Sequence, residues 1–175
     1  MRFQTYQYIR YLMVLISTLL LFGCQTIASY YGGYKSDNKS NIDLYAATNQ
    51  QNSWKTFDLS MEFQTVQRDN YLSVSGTVKL GLYYELNASR IKDLSMYLFF
   101  VDADSKVVET ARITKMVDIS PDEVITFDRL LKIPPTAVAI SFGYDGEALG
   151  GGGDMHDSNG GFSGDHFYEL PKRSS

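Results

Sequence analysis

Side chains that could bind a metal ion gather near the carboxyl terminus. Carboxylate oxygens suit hard cations, and histidine nitrogens suit zinc or copper. The spacing matches neither the EF-hand loop nor the Gly-rich calcium repeat, so a solvated polar loop is the favoured explanation. A metal site remains the alternative, and its candidate ligands are Asp154, His156, Asp157, Asp165 and His166, with Asn159 beside them.

The sequence offers little to a catalytic nucleophile. Only two histidines could act as a base, and both lie in this tail. The stretch Gly161-Phe162-Ser163-Gly164 is one residue short of the G-x-S-x-G motif and does not lie between a strand and a helix. Neither of the Gly-rich phosphate-binding motifs occurs. We therefore predict a protein that is not an enzyme and has no cofactor.

The amino terminus has the parts of a secretory signal. Arg2 and Arg10 precede an apolar run of 12 residues, Tyr11 to Phe22. This length suits a signal peptide and falls short of the roughly 20 residues of a membrane-spanning helix. The alternative is an uncleaved helical anchor. Because Gly23 is small and precedes the only Cys of the chain, we expect cleavage between Gly23 and Cys24.

The four residues Leu21-Phe22-Gly23-Cys24 resemble the lipobox of bacterial lipoproteins. The resemblance implies lipidation of Cys24 by acyl chains such as palmitate, and attachment to a membrane through them. Several acyl chains give stable anchoring, whereas one chain binds only marginally. Gln25 follows in place of Asp, which by analogy with lipoprotein sorting implies the outer membrane of the bacterial envelope.

The charge of the chain excludes one class of partner. After removal of residues 1–23, 14 Lys and Arg remain against 20 Asp and Glu, a net charge of −6. An acidic chain without a basic cluster is a poor candidate for binding nucleic acid. For the same reason we expect it to gain nothing at an anionic lipid surface. No intrachain disulfide is possible with a single Cys, so stability must come from the core.

Alternation of apolar and polar residues begins after Trp54 and is typical of strands with one buried face. The first such strand is predicted to bury Phe57, Leu59, Met61 and Phe63. After a turn at Arg68-Asp69-Asn70, a longer strand follows, with Gly76 at a bulge or a close backbone approach. Its predicted buried face comprises Leu72, Val74, Val78, Leu80, Leu82, Tyr84 and Leu86.

Further strands follow between turns. Leu94 to Val101 is apolar nearly throughout, which predicts a central strand covered on both faces. Val107 to Val117 and Val124 to Ile133 are predicted strands, and Pro134-Pro135 ends the second. From Val138 to Tyr144, small residues alternate with larger ones, so we expect another segment to pack closely over the small face. These features predict an all-β, antiparallel β-sandwich of about seven strands.

The middle of the chain resembles the FxLYD-type, immunoglobulin-like domains of bacterial envelope proteins. The resemblance lies in Val74-Ser75-Gly76-Thr77-Val78, in Tyr97 to Ala103 with Lys106-Val107-Val108 after it, and in Phe127 beyond an acidic turn. The Gly-rich tail resembles small uncharacterised lipoproteins of proteobacteria. These resemblances imply an immunoglobulin-like sandwich and bring no catalytic residue.

Glycine marks the last boundary, because nine of the 14 glycines lie from Gly143 to Gly164. Such a density favours a long loop, after which His166 to Leu170 is predicted to return to the sheet as a short strand. The predicted divisions are a signal peptide (1–23), a lipidated Cys and polar flexible tether (24–53), a β-sandwich (54–145), a Gly-rich loop (146–165) and a returning strand with the carboxyl terminus (166–175). The domain is expected to fold without residues 1 to about 50.

The predicted function is that of a non-enzymatic, membrane-anchored lipoprotein of the bacterial envelope, acting as a binding or structural module through contacts with envelope proteins or glycans. Two alternatives stay open. One is a metal-binding envelope protein that uses the tail. The other is an accessory subunit of a secretion or surface-assembly machine, which pairs an exposed strand edge with a partner.

Overall fold

A computed structural model describes residues 31–37, 40–44, 50–150 and 164–173. Its elements, in chain order, are β1 (Ile42–Asp43), β2 (Gln51–Lys55), β3 (Leu59–Arg68), β4 (Tyr71–Leu80), α1 (Leu82–Asn87), β5 (Ala88–Val101), β6 (Val107–Ile119), β7 (Ile125–Lys132), β8 (Ala139–Gly150) and β9 (Gly164–Glu169). Within the described ranges, no helix is long and apolar enough to cross a membrane.

The strands form two antiparallel sheets that pack face to face as a β-sandwich. The first sheet has the order β8-β5-β6, and β1 and β9 pair with successive parts of the free edge of β8. The second sheet has the order β2-β3-β4-β7. The arrangement β3-β4-β7 facing β9-β8-β5-β6 is the order of strands A, B, E and G, F, C, C′ in immunoglobulin-like sandwiches. The prediction of an all-β, antiparallel β-sandwich is therefore confirmed, and β1 and β2 are additional to the seven strands of that order.

The core lies between the inner faces of the two sheets, as the alternating pattern predicted. The buried side chains of β3 and β4 are Leu59, Met61, Phe63, Thr65, Leu72, Val74, Val78 and Leu80. Across from them, β5 and β8 contribute Leu94, Met96, Leu98, Phe100, Ile140, Phe142 and Tyr144. The predicted central strand is confirmed too, because β5 lies between β6 and β8 and is buried on both faces from Leu98 to Val101.

Gly76 explains how β3 and β4 lie side by side without a break in register. It pairs with Phe63, and the pairing continues regularly on both sides, so no bulge occurs there. A Cβ atom at this position would collide with the carbonyl oxygen of Glu62 and come 2.8 Å from the Cα of Phe63. Of the two predicted explanations for this glycine, the close backbone approach is the one that the structure has.

Three residues predicted to lie on the buried face of a long strand belong to a helix instead. The strand ends at Leu80, and residues Leu82–Asn87 form α1, which leaves Leu82 and Leu86 exposed. The cause is the loss of partners: Leu59, the first residue of β3, already pairs with Leu80. Backbone groups beyond that point have no strand to bond with, and a helical turn satisfies them internally. Only Tyr84 keeps its predicted burial.

Phe57 was also predicted to be buried and is not. The hydroxyl oxygen of Thr56 accepts hydrogen bonds from the backbone N–H groups of Asp58 (3.2 Å) and Leu59 (3.1 Å). This local turn breaks the extended chain before β3 begins, a common effect of Thr side chains next to their own backbone. Phe57 lies at the tip of the turn, with its side chain in solvent.

The prediction that residues 24–53 form a flexible tether is wrong for most of the residues in that range that the structure describes. Residues 51–53 open β2, and β1 pairs with β8. Leu44 is buried in the core, and the ring of Tyr31 packs edge-on against Phe99 at 5.6 Å between centroids. The segment covers the small-residue face of β8, where Ser40 and Ser141 are hydrogen bonded at 3.3 Å. The prediction that something packs over that face is thus confirmed, and the packing partner is the expected tether itself.

The boundaries of the Gly-rich loop also change. Residues 146–150 continue β8 and residues 164–165 begin β9, so the predicted loop 146–165 is shorter by both stretches. Residues 151–163 lie outside the described residues. The returning strand is confirmed as β9, which pairs with β8 and buries Phe167 against Gly146.

Candidate functional site

The structure separates the two metal-ligand candidates that it describes. Successive side chains of a strand point to opposite faces. Phe167 is buried on the inner face of β9, so Asp165 shares that face and His166 lies on the outer one. Asp165 is paired with Ala148, whereas His166 is paired with Glu147. Asp165 and His166 therefore do not converge on one ion.

The remaining candidates, Asp154, His156 and Asp157, lie outside the described residues. Within the described ranges, no group of three His, Cys, Asp or Glu side chains could hold a metal ion. His166 instead belongs to a surface charge group. Lys92 donates a hydrogen bond of 2.8 Å to Glu147, which lowers the pKa of that carboxyl, and the nearby His166 lowers it further.

A different set of side chains stands out at one end of the sandwich, which we call the helix end. Three pieces of chain meet there: the turn between β2 and β3, the helix α1, and the paired ends of β8 and β9. The backbone N–H of Gly81 donates to the carbonyl oxygen of Asp58 at 2.6 Å, which fixes the helix to the turn. This end includes the β4–β5 connection, in which α1 lies.

Large apolar side chains are exposed together at the helix end. Leu82 and Leu86 lie one helical turn apart on the same face of α1. The ring of Phe57 lies 6.2 Å from that of Tyr83. We call these four residues the apolar end patch, and their exposed fractions are 79% for Phe57, 67% for Leu82, 41% for Tyr83 and 73% for Leu86. A contiguous exposed apolar patch on a folded domain is typical of an interaction site.

Buried aromatic residues support the patch from below. Tyr84 turns inward from α1, and its ring packs against that of Phe167 at 4.5 Å between centroids. The hydroxyl of Tyr144 donates a 2.5 Å hydrogen bond to the Asp58 carboxylate and lies 3.2 Å from the Thr56 hydroxyl. Residues of β8, β9, α1 and the β2–β3 turn are thereby held to one another, so the patch lies above packed, hydrogen-bonded side chains.

The electrostatics of this base keep both tyrosines neutral. Burial raises the pKa of the Tyr84 hydroxyl, and the negative charge of Asp58 raises it further. The pKa of Tyr144 is also raised, first by burial and then by its hydrogen bond to Asp58. Because neither hydroxyl can act as a base near neutral pH, this arrangement is suited to structural support. A shallow groove beside it is lined by Tyr83, Tyr84, Asn87, Ala88, Ala148, Leu149, Gly150 and Asp165.

The opposite end of the sandwich, which we call the entry end, is where the described chain begins. Tyr31 packs there against Tyr97 and Phe99 near the end of β5. Gly33 donates a backbone hydrogen bond to Val107 at the start of β6. The candidate lipidation residue Cys24 and the cleavage residue Gly23 precede Tyr31 and lie outside the described residues.

The apolar end patch was not predicted from the sequence, because Phe57, Leu82 and Leu86 were assigned to the buried faces of strands. The run Leu82-Tyr83-Tyr84-Glu85-Leu86 has the two-residue period of a strand, so periodicity alone predicts burial of Leu82 and Leu86. Gly81 is the signal that could have shown the break, since an isolated glycine in a strand pattern marks a bend or a close approach.

Comparisons with protein-family models, curated proteins and solved structures found no match to this chain.

Proposed function

We propose that this protein is a non-enzymatic lipoprotein of the bacterial envelope, anchored in the outer membrane through Cys24, and that it binds a partner protein through the apolar end patch. The observation that carries the proposal is the exposure of Phe57, Leu82 and Leu86 above buried, hydrogen-bonded side chains. Covering exposed apolar surface is favourable in water, and aromatic side chains such as Phe57 are enriched at protein interfaces. The two leucines favour a protein partner over a glycan, since they offer no polar group for sugar hydroxyls.

The anchor would hold the patch away from the membrane. Seven residues separate Cys24 from Tyr31, and a fully extended chain of that length spans at most about 24 Å. Tyr31 contacts Phe99, and the stretch of β5 from Phe99 to Ala88 beside α1 pairs with β8 from Ser141 to Gly150, a distance of about 30 Å along the strand. The helix end therefore cannot rest head-on against the bilayer while Cys24 is inserted in it, and the partner would approach from the far side.

Site-specific photo-crosslinking in cells tests the binding surface. A photoreactive amino acid at position 82 or 57 should give discrete protein adducts. The matched control is position 130, because Leu130 is exposed to a similar extent, 70%, on the edge strand β7. The double substitution Leu82→Ser and Leu86→Ser should abolish the adduct formed from position 57. Equal adducts from positions 57 and 130 would overturn the proposal.

Acyl labelling tests the anchor independently. Labelled palmitate should be incorporated into the wild-type protein, and Cys24→Ala should remove that label and leave the precursor uncleaved. If the Cys24→Ala protein still takes up labelled fatty acid, the lipidation residue is wrong, whatever the result of the crosslinking.

A further inference from the structure

Three lysines that are far apart in the sequence lie side by side at the entry end. Lys35 forms an antiparallel bridge with Lys106 on one side and with Lys172 on the other. We call these residues, in the order Lys106, Lys35, Lys172, the lysine row. All three are exposed.

Backbone hydrogen bonds fix the register of the row. Lys35 and Lys172 exchange N–H···O bonds of 2.9 and 3.0 Å, which makes them a directly opposed, hydrogen-bonded pair. The pairing of Lys35 with Lys106 is bounded by a bond from Ser36 to Ser105 and one from Val107 to Tyr34, the pattern of the non-hydrogen-bonded pair with closer side chains. Opposed residues of antiparallel chains project from the same face, with Cβ atoms about 4.5–5.5 Å apart.

The row is poorly neutralised by the protein itself. Like charges directly opposite one another destabilise a sheet. The only ion pair of the row in the described part of the chain joins Lys106 to Asp104 at 3.7 Å, and both side chains are largely in solvent. The carboxylate of Asp102 already accepts hydrogen bonds from the backbone N–H groups of Asp104 and Lys106. Lys35 and Lys172 have no ion pair among the described residues, so their charges are open to an external anion.

The place of the row indicates which anion. Lys35 lies four residues after Tyr31 and eleven after Cys24, so it is the basic part of the domain nearest to the proposed anchor along the chain. The second sheet adds cations at the same end, because Tyr71 pairs with Arg68 on one side and Lys132 on the other. Asp69, Asp102 and Asp104 lie in turns at the same end, so the row is a local group of cations in a chain whose net charge is −6 after removal of residues 1–23. A membrane that holds the acyl chains brings its phosphate headgroups to this end.

We propose that the lysine row binds the anionic phosphate headgroups of the membrane in which Cys24 is anchored. The inference rests on the proposed lipid anchor and adds to it a second, electrostatic contact. Basic residues near an anionic bilayer each strengthen binding by roughly fivefold, and acyl chains commonly act together with such basic patches. The contact would orient the domain with the entry end on the bilayer and the apolar end patch away from it.

This inference departs from the expectation of no gain at an anionic lipid surface, which rested on the lack of a basic run in the chain. The three lysines are distant in the sequence, because Lys106 follows Lys35 by 71 positions and Lys172 follows Lys106 by 66. Only the pairing of the amino-terminal segment between two other segments brings them together.

Lysine acetylation on vesicles tests the inference. Full-length lipidated protein is reconstituted into vesicles of phosphatidylcholine alone or with phosphatidylglycerol, treated with an amine-reactive acetylating reagent and digested for mass spectrometry. We expect slower acetylation of Lys35, Lys106 and Lys172 with phosphatidylglycerol and a loss of this protection at high salt. Lys55 and Lys79, which lie on either side of Ser60 on β3, are the controls and should react equally in both vesicles.

Two substitutions test whether the protection depends on the middle lysine of the row. Lys35→Gln should weaken the protection of Lys106 and Lys172 by roughly fivefold, while Lys79→Gln should leave it unchanged. Equal acetylation of the row on both kinds of vesicle overturns the inference. Equal protection by inorganic phosphate on neutral vesicles would assign the row to free anions and also overturn it. The acyl group on the Cys24 peptide is read in the same digest, so failure of the anchor is recognised separately.

Discussion

The two ends of the sandwich face their surroundings with opposite chemistry. The helix end exposes Phe57, Leu82 and Leu86 on a base of buried tyrosines. The entry end exposes the lysine row, in which the backbone of Lys35 pairs with Lys106 on one side and Lys172 on the other. Exposed apolar surface is costly in water and is relieved by another apolar surface, whereas close like charges are relieved by anions. One domain thus offers two different contacts near opposite ends of β5.

The two ends also differ in how their parts are joined. The helix end is assembled around one contiguous element, α1, which is fixed to its neighbours by Tyr84 and Gly81. The entry end depends on a segment that precedes the sandwich core in the chain, residues 31–44, which is inserted between other segments. Removing that segment should therefore abolish one end and spare the architecture of the other.

Deletion of residues 1–48 is the largest test of this difference. It removes Leu44, whose burial is worth about 2–5 kcal/mol by comparison with Leu→Ala changes in cores. It also removes the contacts of Tyr31 with Tyr97 and Phe99, at about 0.5–1.5 kcal/mol for each aromatic pair. We expect the free energy of unfolding to fall by about 3–8 kcal/mol, measured by denaturant titration against the protein lacking residues 1–23.

The matched control for this deletion is removal of residues 1–28, which ends before Tyr31 and should leave the free energy of unfolding unchanged. If the chain lacking residues 1–48 were as stable as that control, residues 31–44 would form a tether, as their polar composition predicted.

The failure of that expectation shows what the sequence could and could not establish. The alternation from Leu59 to Leu80 predicted two paired strands with the correct buried faces, because a sheet face in contact with a core must repeat every two residues. Residues 31–44 carry no such period, since their contacts are made singly, by Tyr31, Ser36 and Leu44, with partners distant in the chain.

The candidate surfaces were harder to predict than the fold for two physical reasons. The period of Leu82-Tyr83-Tyr84-Glu85-Leu86 fits a strand, and only the lack of a pairing partner beyond Leu80 turns it into a helix. The lysine row exists only through the register of three segments, which no local pattern encodes. The anchor motif at Cys24 is local and can be recognised from the sequence, but it remains a prediction.

Tyr84→Ala is the largest single-residue test of the helix end. The ring is 4% exposed and lies on Phe167, so its loss should leave a cavity beneath the apolar end patch. Truncation of a buried aromatic residue typically costs about 3–5 kcal/mol. Leu82→Ala, on the exposed face of the same helix, should cost less than about 0.5 kcal/mol. Similar losses for the two variants in thermal or denaturant unfolding would show that α1 does not present Leu82 to solvent.

High pH should weaken the helix end through its two buried tyrosines. Their pKa values are raised in the folded protein above the ordinary 10.0, by burial and by Asp58. The native state therefore keeps protons that the unfolded chain releases, and the stabilisation that is present below pH 10 is lost as the pH rises above it. The double variant Tyr84→Phe and Tyr144→Phe should lose less stability between pH 9 and 11 than the wild type.

The smallest effect is expected at the entry end and has the opposite sign. Lys35 lies between two other lysines, so Lys35→Gln removes two repulsive contacts and leaves the backbone bridges intact. Relief of like charges directly opposite one another should raise the free energy of unfolding by about 0.2–1 kcal/mol in low salt and in the absence of lipid. Screening makes surface repulsion weaker, so the gain should shrink in 1 M NaCl, where the Debye length is about 3 Å. Lys79→Gln, next to Ser60 on the second sheet, is the control and should give no comparable gain. A loss of stability in Lys35→Gln, or a gain that salt does not reduce, would mean that the three ammonium groups do not repel one another. The lysine row, which distinguishes the entry end from the helix end, would then not act as a single site.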